Sequence, residues 1–281
     1  MRLLHTLTHR LEDKPPGSVR YAILSHTWRD RELLFADVAH ADAAQGWKSE
    51  ECARKVLQAC ALAKSEGYDF IWVDNCCIDK SSSAELSEAI NSMYQWYGMA
   101  SVCYAFLADA ESSTDLQACR YFTRGWTLQE MIAPSQLKFY NREWRCLGSR
   151  GDMSQQLSEI TQIPLELLVD RETHLQSRYS MHILQTTSVA TRMSWASKRN
   201  TARPEDIAYC LMGIFGVNMP LLYGEGGQRA FRRLQQEIMK RCGDQSILIH
   251  ESRSLLANSK AWHWQFSTAQ TRREITLAGQ D

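Results

Sequence analysis

The 281-residue sequence predicts an open α/β sheet, mostly parallel and flanked by helices, followed by a smaller, mainly helical region. Three observations carry this expectation. Short apolar, aromatic or β-branched runs alternate with helical periodicity from about residue 20 to 140, and strands joined by helical crossovers lie parallel. Polar and aromatic clusters follow directly on the first two runs, where open α/β sheets place their ligands. Past about residue 150 the strand-like runs give way to helical patterns.

The elements justify themselves in order. "RYAILS" (20–25) follows Pro15-Pro16-Gly17 and has the apolar content of a buried strand. Over 49–66, Ala53, Val56, Leu57, Cys60 and Ala63 recur at helical spacing, and Gly67 stands where a C-cap falls. "YDFIWVD" (68–74) reads as the second strand and ends in a polar loop, "NCCIDK". Ser82-x-x-Glu85 is a capping-box pattern opening a helix in which Leu86, Ile90, Met93 and Tyr97 share a face, with Gly98 as its stop. "SVCYAFL" (101–107) is a third strand, "RGWTLQEMIA" (124–133) a short helix ended by Pro134, and "LKFY" (137–140) a fourth strand. Residues 201–216 and 226–243 each read as one helix, the second with Phe231, Leu234 and Ile238 inward and Gly243 as stop. The expected division is 1–145 for the α/β domain, 146–248 for the helical region, and an atypical tail over 249–281 whose polar composition suits disorder.

Lys+Arg and Asp+Glu both number 32, so the net charge is zero, and no general electrostatic grip on nucleic acid or an anionic membrane is expected. The nine cysteines are odd in number and several fall at core-facing positions, which fits a reducing, cytoplasmic setting. No secretory leader is expected from "MRLLHTLTHRLEDKPP". The longest apolar stretch, 209–224, is interrupted by Asn218 and Pro220 and is too short to span a bilayer.

Three clusters converge on the expected ligand rim: "SHTWRD" (25–30), "DNCCIDK" (74–80) and the first turn of the helix carrying Trp126 and Glu130. Each residue has a bland reading beside its functional one. Glu130 is either a solvated helix residue or the acid of a site. Ser25 and His26 are neighbours whose side chains diverge in extended chain, so they are not expected to pair. His26 is a structural histidine or a ligand contact, and Trp28 is a rim aromatic or a core residue. Asp74 caps the following loop or contacts a ligand or cation. Cys76 or Cys77 activated by His26 would be a thiol nucleophile. A zinc site from the same three residues lacks the usual spacer, and no metal is expected. Arg124 grips a phosphate or forms a surface ion pair. Lys80 lacks the glycines of a P-loop. Arg192, Trp195, Glu205 and Asp206 read as interface or capping residues.

"YAILSHTW", "YDFIWVDNCCIDK", "AINSMYQWYGMASVCYAFLAD" and "RGWTLQEMIAP" resemble, in order, the motifs of the fungal heterokaryon-incompatibility (HET) domain. "RMSWASKRNTARPEDIAYCLMGIFGVNMPLLYGEG" and "AFRRLQQEI" resemble the helical region that follows it in vegetative-incompatibility proteins, so the resemblance covers about residues 1–248. Arg29 departs from the glycine usual after "SHTW", and beyond Ile249 the pattern is lost, as in a stand-alone or truncated form. The resemblance implies regulated cell death on non-self recognition, with a homo-oligomer or other cell-death signalling proteins as partners. Through a distant similarity to TIR domains it implies a TIR-like fold and NAD as substrate rather than bound cofactor. There Glu130, four residues after Trp126, would be the catalytic carboxylate, with Ser25, His26, Trp28, Asp74, Arg124 and Trp126 around the substrate. One carboxylate suffices in principle, because nicotinamide leaves as a neutral molecule and needs no acid to protonate it. The other reading is a non-enzymatic signalling module that acts by self-association.

Overall fold

The structure, a computed structural model, describes residues 1–39, 51–171, 181–241, 244 and 246. Its centre is a seven-stranded sheet in which β3 (Ala22–His26), β4 (Phe70–Trp72), β5 (Val102–Phe106) and β6 (Leu137–Tyr140) are the four expected parallel strands. Every residue of β3 and β5 is buried, as strands covered on both faces require. Three strands absent from the sequence expectation complete the sheet: β1 (Arg2–His5) and β2 (Leu11–Asp13) at one edge and β7 (Cys146–Ser149) at the other, all antiparallel to their neighbours. The order is β2-β1-β4-β3-β5-β6-β7. β7 carries the sheet past the boundary expected at residue 145.

From β3 the chain passes first to β4 on one side, and β5 then pairs on the other side. That reversal is a topological switch point, which opens a crevice at the carboxyl ends of the strands. Helix α1 (Phe35–Ala39) follows β3, and α2 (Glu51–Ser65) crosses to β4. Of the expected apolar face of α2, Ala53, Val56, Cys60 and Ala63 are fully buried and Leu57 is half-buried at its margin, and Gly67 at φ 85° ends the helix. The "NCCIDK" segment, expected as a loop, begins instead with a helical turn, α3 (Asp74–Cys77).

Helix α4 (Ser83–Met99) starts where expected, with Ser82 Oγ accepting from Glu85 N at 3.3 Å. The reciprocal half of the capping box is missing because Glu85 turns to Asp79 N, at 2.8 Å, and to Arg2. The helix also runs through Gly98 to Met99, since Ala100 N still bonds back to Trp96 O. Helix α5 (Thr127–Ile132), entirely buried, carries Glu130. Beyond β7 lie α6 (Ser154–Thr161), α7 (Leu165–Leu168), α8 (Val189–Ser194), α9 (Asp206–Tyr209), α10 (Met212–Phe215) and α11 (Gly227–Arg241). The single helix expected over 201–216 is therefore two short ones, broken at Cys210–Leu211. In α11, Leu234 and Ile238 are buried as expected, whereas Phe231 is only half-buried. The expected stop at Gly243 and the tail from 251 lie outside the described residues. No helix among the described residues is long and apolar enough to cross a membrane.

Candidate active site

The carboxyl ends of β3 and β4 and the helix α5 meet the segment 202–223 around a pocket of ≈ 210 Å³. Six of the seven residues that the sequence singles out line it: His26, Trp28, Asp74, Arg124, Trp126 and Glu130. Ile78, Leu86, Ile90 and Met93 give one wall an apolar surface. A flat aromatic group would find both apolar packing and aromatic edges here.

Glu130 is buried, 6% exposed, and faces the pocket rather than bulk water. Burial pushes its pKa up to about 8, against the hydrogen bond from Ser25, so the acid is largely protonated at neutral pH. Ser25, expected among the ligand contacts, is fully buried instead and stands behind Glu130, donating to Oε2 at 2.6 Å. Its strand position turns it toward α5 and Tyr121, whose hydroxyl is 2.8 Å away. As expected, Ser25 and His26 make no pair.

His26 lies 3.8 Å from Asp74 and 3.9 Å from Glu32, and neither ring nitrogen has a hydrogen-bond partner. Burial, reinforced by the nearby Lys55 ammonium, lowers its pKa to about 3, and Asp74 only partly opposes this. The ring is therefore neutral and offers one donor and one acceptor. It is not the hydrogen-bonded structural histidine of the bland expectation. Asp74 does not cap its loop either. It accepts from Trp28 Nε1 at 2.9 Å and pairs with Lys80 at 3.5 Å, while Lys80 stands 3.5 Å over the Trp28 ring. Burial raises the Asp74 pKa, but the Lys80 ammonium and the Trp28 N–H outweigh it and hold the carboxyl below its usual range. Asp79, by contrast, only serves the turn, accepting from Ser81.

Cys76 and Cys77 are buried, and the Cys76 thiol is raised well above its ordinary pKa by Cys77 and by burial. A thiol nucleophile needs the opposite environment. Among the described residues no group of three or more His, Cys, Asp or Glu side chains could hold a metal ion.

The other side of the pocket was not legible as such. Asp206, read from sequence as a capping or interface residue, is buried in the wall and accepts from Trp126 Nε1 at 3.2 Å and Tyr223 Oη at 2.9 Å. Glu205 stands at the start of α9 without capping it, and its carboxylate instead accepts from Gly224 N and Gly226 N in the turn before α11. A backbone bridge joins Arg124 to Asn200, and Gly125 N donates to Asn200 O at 2.9 Å. A Cβ at Gly125 would sit 2.5 Å from Thr201 Cγ2 and 3.1 Å from Cys210 Sγ, so this close approach needs glycine. Arg199 reaches the same place, donating to Arg124 O at 2.8 Å and Thr127 Oγ1 at 3.0 Å.

With this geometry in view, a family model described as "Heterokaryon incompatibility protein (HET)" matches residues 21–120, from β3 to the turns before α5. Over 244 residues the chain is 43% identical to "Vegetative incompatibility protein HET-E-1" of Podospora anserina, a match covering 82% of this chain. This chain is a HET-domain protein. It spans 17% of the length of that relative. A second model, "Domain of unknown function (DUF8212)", matches residues 229–278, running from α11 into the segment expected as a tail. No solved structure matches. The HET match ends before Arg124, Trp126 and Glu130, whereas the similarity to HET-E-1 covers most of the chain.

Proposed function

We propose that this HET-domain chain acts in heterokaryon incompatibility, as an effector of regulated fungal cell death, and that its pocket hydrolyses NAD at the nicotinamide–ribose bond. The observation that carries the enzymatic reading is Glu130, a carboxyl group buried at the switch-point crevice beside aromatic and apolar walls.

The chemistry follows from charge. Nicotinamide in NAD is a cation, and its approach would favour the ionised form of Glu130, releasing the proton that the buried acid holds. As the C1′–N bond breaks, its electron pair moves to the ring nitrogen and neutralises it. Positive charge then develops on the ribose, and a carboxylate held in a dry site stabilises that charge. Water adds to C1′ and gives its proton to Glu130. The products are nicotinamide and ADP-ribose. Trp28 and Trp126 at the rim supply surfaces on which the ring could stack.

Purified protein is incubated with NAD beside Glu130→Gln, across concentrations that drive self-association, and nicotinamide is followed by chromatography. Release by the wild type and its loss in the variant are expected. Equal release from both would remove Glu130 from the chemistry. Release from neither, alongside assembly, would favour the non-enzymatic signalling module.

A further inference from the structure

Charge in the pocket is layered by depth. Glu130 and Asp206 are buried in it, whereas Arg124 is half-buried and Arg203 is exposed. Lys80 is already committed to Asp74 at 3.5 Å and to the Trp28 ring. Arg124 and Arg203 make no ion pair among the described residues. Arg203 is held 4.4 Å over the Tyr223 ring, which orders the side chain while leaving its N–H donors open. The two arginines come from segments 79 positions apart, brought together by the Arg124–Asn200 bridge.

We propose that Arg124 and Arg203 form a two-guanidinium clamp at the pocket mouth that binds a phosphate group of a nucleotide ligand, whose other end reaches Glu130. The clamp makes the helical region a ligand-binding half of the site, with Arg203 as a specificity-determining residue. Guanidinium forks match phosphate oxygens bidentately, and two of them offer more donors than one phosphate can use. At a partly open mouth such pairing is screened by salt, whereas apolar contacts deeper in the pocket are not. The polarity also fits ligands of one kind, with a neutral or cationic head inward and an anionic tail outward. This inference rests on reading the pocket as a nucleotide site, and it stands apart from whether a bond is cleaved there.

Calorimetric titration of the full chain carrying Glu130→Gln, which prevents turnover, tests it with two probe pairs: nicotinamide mononucleotide against nicotinamide riboside, and ribose 5-phosphate against ribose. In at least one pair the phosphorylated member should bind about tenfold or more tighter. That preference should shrink with added salt and vanish in an added Arg203→Gln, with Arg203→Lys recovering only part of it. Arg203 is exposed, so these variants should melt near the parent temperature. If nicotinamide riboside and the mononucleotide bind equally, ribose 5-phosphate binds no tighter than ribose, and Arg203→Gln changes none of them, the clamp is wrong while the nicotinamide reading survives. If only ribose 5-phosphate shows the preference, the clamp stands and the nicotinamide reading falls. Absence of binding by all four probes overturns the clamp.

Discussion

Ser25 Oγ donates to Glu130 Oε2 at 2.6 Å, and the hydroxyl of Tyr121 lies 2.8 Å from the same Ser25 oxygen. A strand residue thus holds the pocket's acid from behind, opposing the effect of burial on its ionisation. Hydrogen bonds to a charged group contribute about 1.5–3 kcal/mol, equivalent to about one to two pH units of titration midpoint. Ser25→Ala should therefore move the Glu130 midpoint upward from about 8 by that order. Carbon NMR of the labelled carboxyl group reads this directly. An unchanged midpoint would mean that the hydroxyl does not support the charged form.

Glu130 itself should make the protein less stable in alkali. Its folded pKa of about 8 lies above the ordinary 4.5, so between those values the folded chain keeps a proton that the unfolded chain releases. Stability then falls as pH rises through this window, by about 5 kcal/mol at most. Glu130→Gln removes that loss. Its melting temperature relative to wild type should be higher at pH 8.5 than at pH 5.5, and a constant difference would contradict the buried-acid picture. A site residue that weakens the fold is the usual trade-off between stability and function.

Half of this pocket could be read from the chain order and half could not. β3 and β5 are buried on both faces, so they read as apolar runs, interrupted in β3 only by Ser25 and His26 at its carboxyl end, and the loops after β3 and β4 follow from strand direction. The edge strands β2, "LED", and β7, "CLGS", have no buried residue, and neither they nor β1, "RLLH", between β2 and β4, carry a β-branched or aromatic residue, so nothing in their composition announces a strand. Asp206 was hidden for another reason. Its carboxylate matters because Trp126, 80 positions earlier, donates to it. No local pattern records a contact across that separation. Ser25 shows a subtler limit: its place at the end of β3 was legible, but not that it serves the site through Glu130.

His26 should make the fold sensitive to acid. Its folded pKa of about 3 lies below the ordinary 6.5, so within that window the unfolded chain takes up a proton that the folded chain refuses. Stability is lost as pH falls from 6.5 toward 3, by about 1.4 kcal/mol for each pH unit. Urea unfolding at pH 6.5 and 4.5 should show a decline that is smaller in His26→Gln by about 2–3 kcal/mol. An equal decline in both proteins would show that the buried ring does not resist protonation.

The carbonyl end of α5 is tied down by two buried arginines, and one of them offers a sharp test. Arg150 Nη1 donates to Met131 O at 2.8 Å and Pro134 O at 3.0 Å, while Nη2 donates to Val169 O at 2.8 Å and Ser135 O at 3.2 Å. Arg171 adds bonds to Ile132 O and Ala133 O. Asp170, 3.7 Å from Arg150, is the acidic partner. Burial, with Arg171 beside it, lowers the Arg150 pKa to about 9, yet the guanidinium persists because four carbonyl oxygens surround it. Arg150→Lys keeps a charge but offers only three donors from one atom, so at least one carbonyl loses its partner. An expected cost of about 3–5 kcal/mol in urea unfolding follows from breaking a buried charged network. A cost below about 1 kcal/mol would show that Arg150 is not needed to hold the carbonyl end of α5.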